Sequence, residues 1–125
     1  MTEKCLVIGL GQIGMGYDLD CDPSVAVYSH ARAISLHPDF ELVGAVDLCP
    51  LQRSIFEKHY VRPAFENISA AISQLQPSTV IIASPSESHA AVLDEVVNQE
   101  KPKTILCEKP LAYDLADARE MVNTC

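Results

Sequence analysis

The sequence is short of positive charge. Nine Lys and Arg face seventeen Asp and Glu, which leaves a formal charge of −8 over 125 residues. That balance excludes nucleic acid and an anionic membrane surface as general partners. It does not exclude a phosphate site made of main-chain amides, which needs no basic patch. No apolar run approaches the roughly 18 residues of a membrane-spanning helix, and Met1-Thr2-Glu3-Lys4 lacks the pattern of a secretory signal, so the cytoplasm is the expected location. The five cysteines, Cys5, Cys21, Cys49, Cys107 and Cys125, are scattered, odd in number and without a C-x-x-C pair. This argues against a disulfide scaffold and against paired zinc ligands, and points to free thiols in a reducing compartment. Repeats, low-complexity segments and interdomain linkers are also missing, so residues 1–125 read as one domain.

What the chain does have is an apolar fraction of 48%, enough to bury a core. It also has one organising stretch, Leu6-Val7-Ile8-Gly9-Leu10-Gly11-Gln12-Ile13-Gly14. The continuous apolar start predicts a strand buried on both faces, as in a parallel sheet. It breaks into Gly9-x-Gly11-x-x-Gly14, the spacing of a dinucleotide fingerprint. There Gly9 permits a tight turn, Gly11 lets the backbone approach a pyrophosphate, and Gly14 lets the next segment pack close to the strand. A glycine-rich turn that binds nothing has the same spacing; the preceding buried strand favours the fingerprint.

A Rossmann helix normally begins at the third glycine. Here Met15 to Pro23 carries Gly16, three acids and a proline, all opposed to regular helix. The helical pattern settles only at Ser29, an N-cap, and Pro38 stops it. The first crossover therefore contains an insertion of roughly a dozen residues relative to the usual spacing to the next acid. We expect the segment Met15–Ala26 to reach over a cofactor or a substrate mouth. Asp18-x-Asp20-x-Asp22 begins like a calcium loop, but Pro23 and Ser29 stand where Gly and Glu are needed, so it is an acidic loop only.

The rest alternates. Strands are expected at Phe40–Val46, around Pro63–Phe65, at Thr79–Ala83 and at Thr104–Cys107. Helices are expected at Leu51–Tyr60, Ser69–Leu75, His89 to about Gln99, and Leu115–Asn123. Such alternation implies an α/β fold, a doubly wound parallel sheet in a three-layer αβα sandwich. Ligands bind beyond the carboxyl ends of the strands in such sheets. Four polar segments fall at those ends: Gly9–Gly14, Asp47, Ser84–His89 and Glu108-Lys109. Asp47 ends the second strand, where a carboxylate accepts hydrogen bonds from an adenosine ribose and repels a 2′-phosphate, which favours NAD over NADP. A solvated turn aspartate would look the same. Lys109 follows a buried strand, where it can donate to a substrate hydroxyl or assist proton transfer; the competing reading is a surface Lys–Glu pair. His89 opens a helix, either turned to a bound ligand or facing water. His30, His37 and His59 share no metal-like spacing, and no metal ligand is assigned.

Taken together, Val7-Ile8-Gly9-Leu10-Gly11-Gln12-Ile13-Gly14, His30-Ala31-Arg32-Ala33, Gly44-Ala45-Val46-Asp47, Ala83-Ser84-Pro85-Ser86-Glu87-Ser88-His89 and Leu106-Cys107-Glu108-Lys109-Pro110-Leu111-Ala112 resemble the N-terminal domain of the glucose–fructose oxidoreductase/inositol dehydrogenase (Gfo/Idh/MocA) family. The resemblance spans nearly the whole chain. It implies an NAD(P)-dependent oxidoreductase moving hydride to or from a hydroxyl carbon of a sugar, cyclitol or related compound. The implied cofactor contacts come from Gly9, Gly11, Gln12, Ile13, Gly14, Asp47, Ser84, Pro85, His89, Glu108 and Lys109, with Lys109 also catalytic. Members of the family continue into a second domain that supplies substrate contacts and most of the oligomer interface. On that comparison, this chain is expected to be a cofactor domain without its substrate domain, inactive alone and part of a homo-oligomer when complete. The rival expectation is a non-catalytic nucleotide-sensing module that regulates a partner.

Overall fold

The computed structural model describes residues 2–99 and 102–125. Five parallel strands form one sheet: β1 (Glu3–Ile8), β2 (Phe40–Val46), β3 (Ala64–Phe65), β4 (Thr79–Ile82) and β5 (Thr104–Cys107), in the order β3-β2-β1-β4-β5. The strand at the centre is the one with the unbroken apolar run. Cys5 and Val7 of β1 enter one hydrophobic core while Leu6 and Ile8 enter the other. Successive side chains point to opposite faces, so the stretch covered on both sides, Cys5 to Ile8, has no position for a polar residue, while Glu3 and Lys4 at the start of β1 are exposed.

Helices α1 (His30–Leu36) and α2 (Pro50–Tyr60) cover the first face through Ala31, Ile34 and Phe56. Helices α3 (Ile68–Leu75), α4 (His89–Val97) and α5 (Leu115–Thr124) cover the second through Ile68, Ala71, Ile72, Leu93, Val96 and Met121. Their starts follow from short polar side chains. Asn67 Oδ1 accepts from the Ala70 amide at 3.0 Å, Asp114 Oδ1 from the Asp117 amide at 2.8 Å, and Ser29 Oγ from the Arg32 amide at 3.3 Å, while Pro50 opens α2. The chain lays strands outward from β1 to β3, then returns across the opposite face to β4. That reversal places the topological switch point between β1 and β4.

The insertion is spliced into α1 rather than hung from it. The Ile13 and Gly14 carbonyls accept from the His30 and Ala31 amides, both at 2.9 Å. In an uninterrupted helix those donors would be residues 17 and 18; here they come thirteen residues later. The excursion is rooted by Asp18, a fully buried carboxylate that accepts from the Tyr28 amide at 2.7 Å, the Ser29 amide at 2.8 Å and the Ser29 hydroxyl at 2.7 Å. Arg32 Nε lies 4.0 Å from the same carboxylate, and its Nη1 donates to the Cys21 carbonyl at 3.0 Å. Burial acts to raise the Asp18 pKa, but the bonds from Ser29 and Tyr28 and the guanidinium outweigh it and hold the carboxyl below its ordinary value. Met15 and Ala26 at the two ends of the expected cover are themselves buried. The segment thus packs down against the first helix, and within it Tyr17 is the residue that lines the cavity described next.

Candidate dinucleotide site

The sheet ends flush. Each residue just beyond a strand donates its amide to the last carbonyl of the neighbouring strand. Gly9 donates to Val46 at 2.8 Å, Asp47 to Phe65 at 3.0 Å, Ala83 to Ile8 at 2.7 Å and Glu108 to Ile82 at 2.8 Å. This ladder lines up the four sequence-selected segments along one edge. A cavity of about 1150 Å³ opens there, walled by Gly9, Gly11, Gln12, Ile13, Asp47, Ser84, Pro85, Glu108 and Lys109 among others.

Gly9 has φ +100°, and a Cβ on it would lie 2.5 Å from the Ser84 nitrogen, so the β1 and β4 ends can meet only with glycine here. At Gly14 a Cβ would collide with the Gly9 carbonyl, which fixes its role as packing; it does not line the cavity. Gly11 is different: a Cβ there would meet nothing within 4 Å. Beyond it, the carbonyls of Gly11, Gln12, Ile13 and Gly14 all accept main-chain bonds from later residues. The amides of Gly11, Gln12 and Ile13 donate to no group among the described residues. Three unpaired N–H groups on a cavity wall form a ready site for an anion.

Asp47 stands beside them. Its Oδ2 accepts from the Leu10 amide at 2.7 Å and its Oδ1 from the Cys49 amide at 2.8 Å, so one carboxylate ties the glycine loop to the start of α2. Arg53 Nη1 donates to the Asp47 carbonyl at 2.8 Å and to that of Leu48 at 3.1 Å. The sequence offers no sign of this placement, because Arg53 reaches back from the first turn of α2.

On the far wall, Ser88 Oγ donates to the Pro85 carbonyl at 2.6 Å and can accept from Ser84 Oγ at 2.7 Å, which stiffens the turn after β4. His89 is only 1% exposed. It neither faces water nor lines the cavity: Nε2 lies 2.9 Å from the Ser84 carbonyl and Nδ1 3.2 Å from that of Leu111. It joins the β4 and β5 loops from behind. Glu108 pairs with His30 Nε2 at 3.4 Å, and among the described residues Lys109 forms no ion pair, so the surface Lys–Glu reading does not hold. The Lys109–Pro110 bond is cis. Asp47 and Lys109, the two ends of the expected site, line the same cavity. No group of three or more metal-ligating side chains occurs among the described residues, and none of their helices is long and apolar enough to cross a membrane.

A parallel sheet with an anion-ready glycine turn at its switch point and a carboxylate on the adjoining strand end defines the class of Rossmann-type dinucleotide-binding domains. Within that class, the chain belongs to the Gfo/Idh/MocA oxidoreductase family with NAD-binding Rossmann fold, whose sequence profile matches residues 3–125. It is 33% identical over 96 residues to the glucose-6-phosphate 3-dehydrogenase of Bacillus subtilis, covering 77% of this chain and 26% of that protein. It is 36% identical over 94 residues to the inositol 2-dehydrogenase of Rubrobacter xylanophilus, covering 73% and 26%. Among solved structures, the WlbA dehydrogenase of Bordetella pertussis in complex with NADH and UDP-GlcNAcA superposes with a TM-score of 0.81 at 24% identity, covering 100% of this chain and 34% of that one. The matched region is about a quarter of the length of either curated relative.

Proposed function

We propose that residues 1–125 hold a nicotinamide dinucleotide, NAD in preference to NADP, for an oxidoreductase acting on a hydroxyl carbon of a sugar, cyclitol or related compound. The observation that carries this reading is the row of unpaired amides at Gly11, Gln12 and Ile13, residues that line one cavity with Asp47 and Lys109. The residues fit the group. The space above Gly11 accepts a diphosphate, and each Asp47 oxygen, holding one main-chain bond, keeps a lone pair for a ribose hydroxyl. When bound, the nicotinamide supplies the hydride chemistry. The chain supplies position: main-chain amides donate to the diphosphate without a cationic side chain, Asp47 orients the adenosine ribose, and Ser84, Pro85 and Glu108 wall the opposite half. The Lys109 ammonium, a triple donor on that wall, holds the oxygen of the reacting carbon and its proton. His89 keeps Ser84 and Leu111 in place rather than touching the cofactor.

The substrate class is supported by the phosphosugar and cyclitol dehydrogenases that the chain is similar to. We assign substrate recognition and homo-oligomer assembly to regions of such enzymes outside these 125 residues, and the location to the cytoplasm. The chain by itself is expected to bind NADH and turn nothing over. Titration with NADH tests this, read by its fluorescence, which no tryptophan of the chain obscures. Binding should be competed by ADP-ribose and strongly weakened by Gly11→Ala, with an unchanged unfolding midpoint because a Cβ there meets nothing within 4 Å. No binding at millimolar NADH would overturn the reading.

A further inference from the structure

We propose that the Tyr17 phenol is a ligand of the dinucleotide's diphosphate, presented by the insertion; this rests on the reading of the cavity as a dinucleotide site. Tyr17 and Asp18 are the two residues that the splice displaces from the helix, since His30 and Ala31 take their hydrogen-bonding places on Ile13 and Gly14. What becomes of them is opposite. Asp18 turns inward and is fully buried among the Tyr28 and Ser29 donors and Arg32. Tyr17 turns outward, remains 56% exposed, and lines the cavity beside Gly11, Gln12 and Ile13.

Its main chain is fixed on both sides. The Tyr17 amide donates to the Gln12 carbonyl at 2.9 Å, and the next residue is the buried anchor. The Gln12 carboxamide lies over Gly16, just before it, so the Gln12 side chain is seated on the same turn. A ring more than half exposed on an anchored backbone is placed for a partner from outside. Tyr17 is also the one aromatic residue in the cavity lining among the described residues.

The chemistry of the wall selects the diphosphate. Five carboxylates, on Asp47, Glu66, Glu87, Glu95 and Glu108, line the cavity against the single ammonium of Lys109. A dianionic diphosphate entering there needs donors that the amides of Gly11, Gln12 and Ile13 only partly provide. A phenol hydroxyl donates without carrying charge, and with the Gln12 carboxamide it is one of two neutral donor side chains that the glycine turn and the residues just after it bring to this wall.

The test compares wild type with Tyr17→Phe, which removes only the hydroxyl of an exposed ring. NADH and ADP-ribose should each bind about tenfold more weakly to the variant, the worth of one hydrogen bond to a charged group. The ³¹P resonances of bound ADP-ribose should move between the two proteins while the urea midpoint stays the same. If wild type binds NADH and Tyr17→Phe binds NADH and ADP-ribose within twofold of it, with unmoved ³¹P resonances, the proposal about Tyr17 fails alone. If wild type binds neither ligand, the dinucleotide reading fails and this proposal with it.

Discussion

Gly9 and Gly11 are two residues apart and respond to substitution in opposite ways. Gly9 sits at positive φ with the Ser84 nitrogen and the Ala83 carbonyl crowding the place where a Cβ would go. Gly9→Ala therefore combines backbone strain with a clash against main chain that cannot yield, and we expect a loss of about 3 kcal/mol or more in urea unfolding. Gly11 has neither constraint, so the fold does not require a glycine there, whereas the proposed diphosphate does. The same separation applies to the carboxylate. Asp47→Asn leaves one oxygen for the Leu10 or Cys49 amide but loses charge and half its acceptor capacity. NADH affinity should fall by about one to two orders of magnitude, while adenine alone, which lacks a ribose, should bind the variant and wild type equally; competition titrations measure both.

At the scale of the element, the insertion and α1 behave as one unit joined by Asp18. The folded-state pKa of this carboxyl lies below its unfolded value, so its contribution is fully present above the unfolded pKa, near 4, and is lost as pH falls through the folded one. Asp18→Asn removes that charge and leaves buried donors facing an amide, a loss of about 3 kcal/mol at pH 7. The stability of the variant should accordingly fall less steeply below pH 4 than that of wild type, as followed by urea midpoints across pH. Hydrogen exchange places the loss: the Tyr28 and Ser29 amides should lose protection, while those of β1 and β4 keep theirs. At Cys5, in the sheet's centre, the same effect of burial prevails and pushes the thiol up to about 11, so slow alkylation at neutral pH is expected.

For the whole molecule the decisive quantity is the sign of the field over the cavity. The chain carries −8 overall, and the cavity's charged lining repeats that imbalance. Asp47 and Glu66 follow β2 and β3, on the half of the edge where the adenosine end lies in the proposed pose. A 2′-phosphate there meets two carboxylates, while the Arg53 guanidinium is already engaged with the Asp47 and Leu48 carbonyls. NADH should bind at least tenfold more tightly than NADPH in dilute buffer, and the gap should narrow as salt rises toward molar concentration. Equal affinities at low salt would show that Arg53 turns out to meet the phosphate.

The sequence by itself determined the sheet and the place of the site. Apolar stretches closed by Gly9, Asp47, Ser84 and Glu108 fix four of the five strands, whose polar ends must share one edge, because parallel strands all point the same way; β3 has only Ala64–Phe65. Local chemistry also marked Ser29 as a cap and the break after Gly14 as an insertion. Only the tertiary structure decided where the displaced residues go. That Asp18 is buried and Tyr17 exposed follows from a helix resuming thirteen residues later on the Ile13 and Gly14 carbonyls, a bond between distant positions that no local pattern records. It likewise turned His89 inward between two carbonyls and gave Glu108 to His30 rather than to Lys109. Spacing along the chain sets which face and which end a residue occupies; which neighbour it meets depends on the packing of segments that are far apart in the sequence.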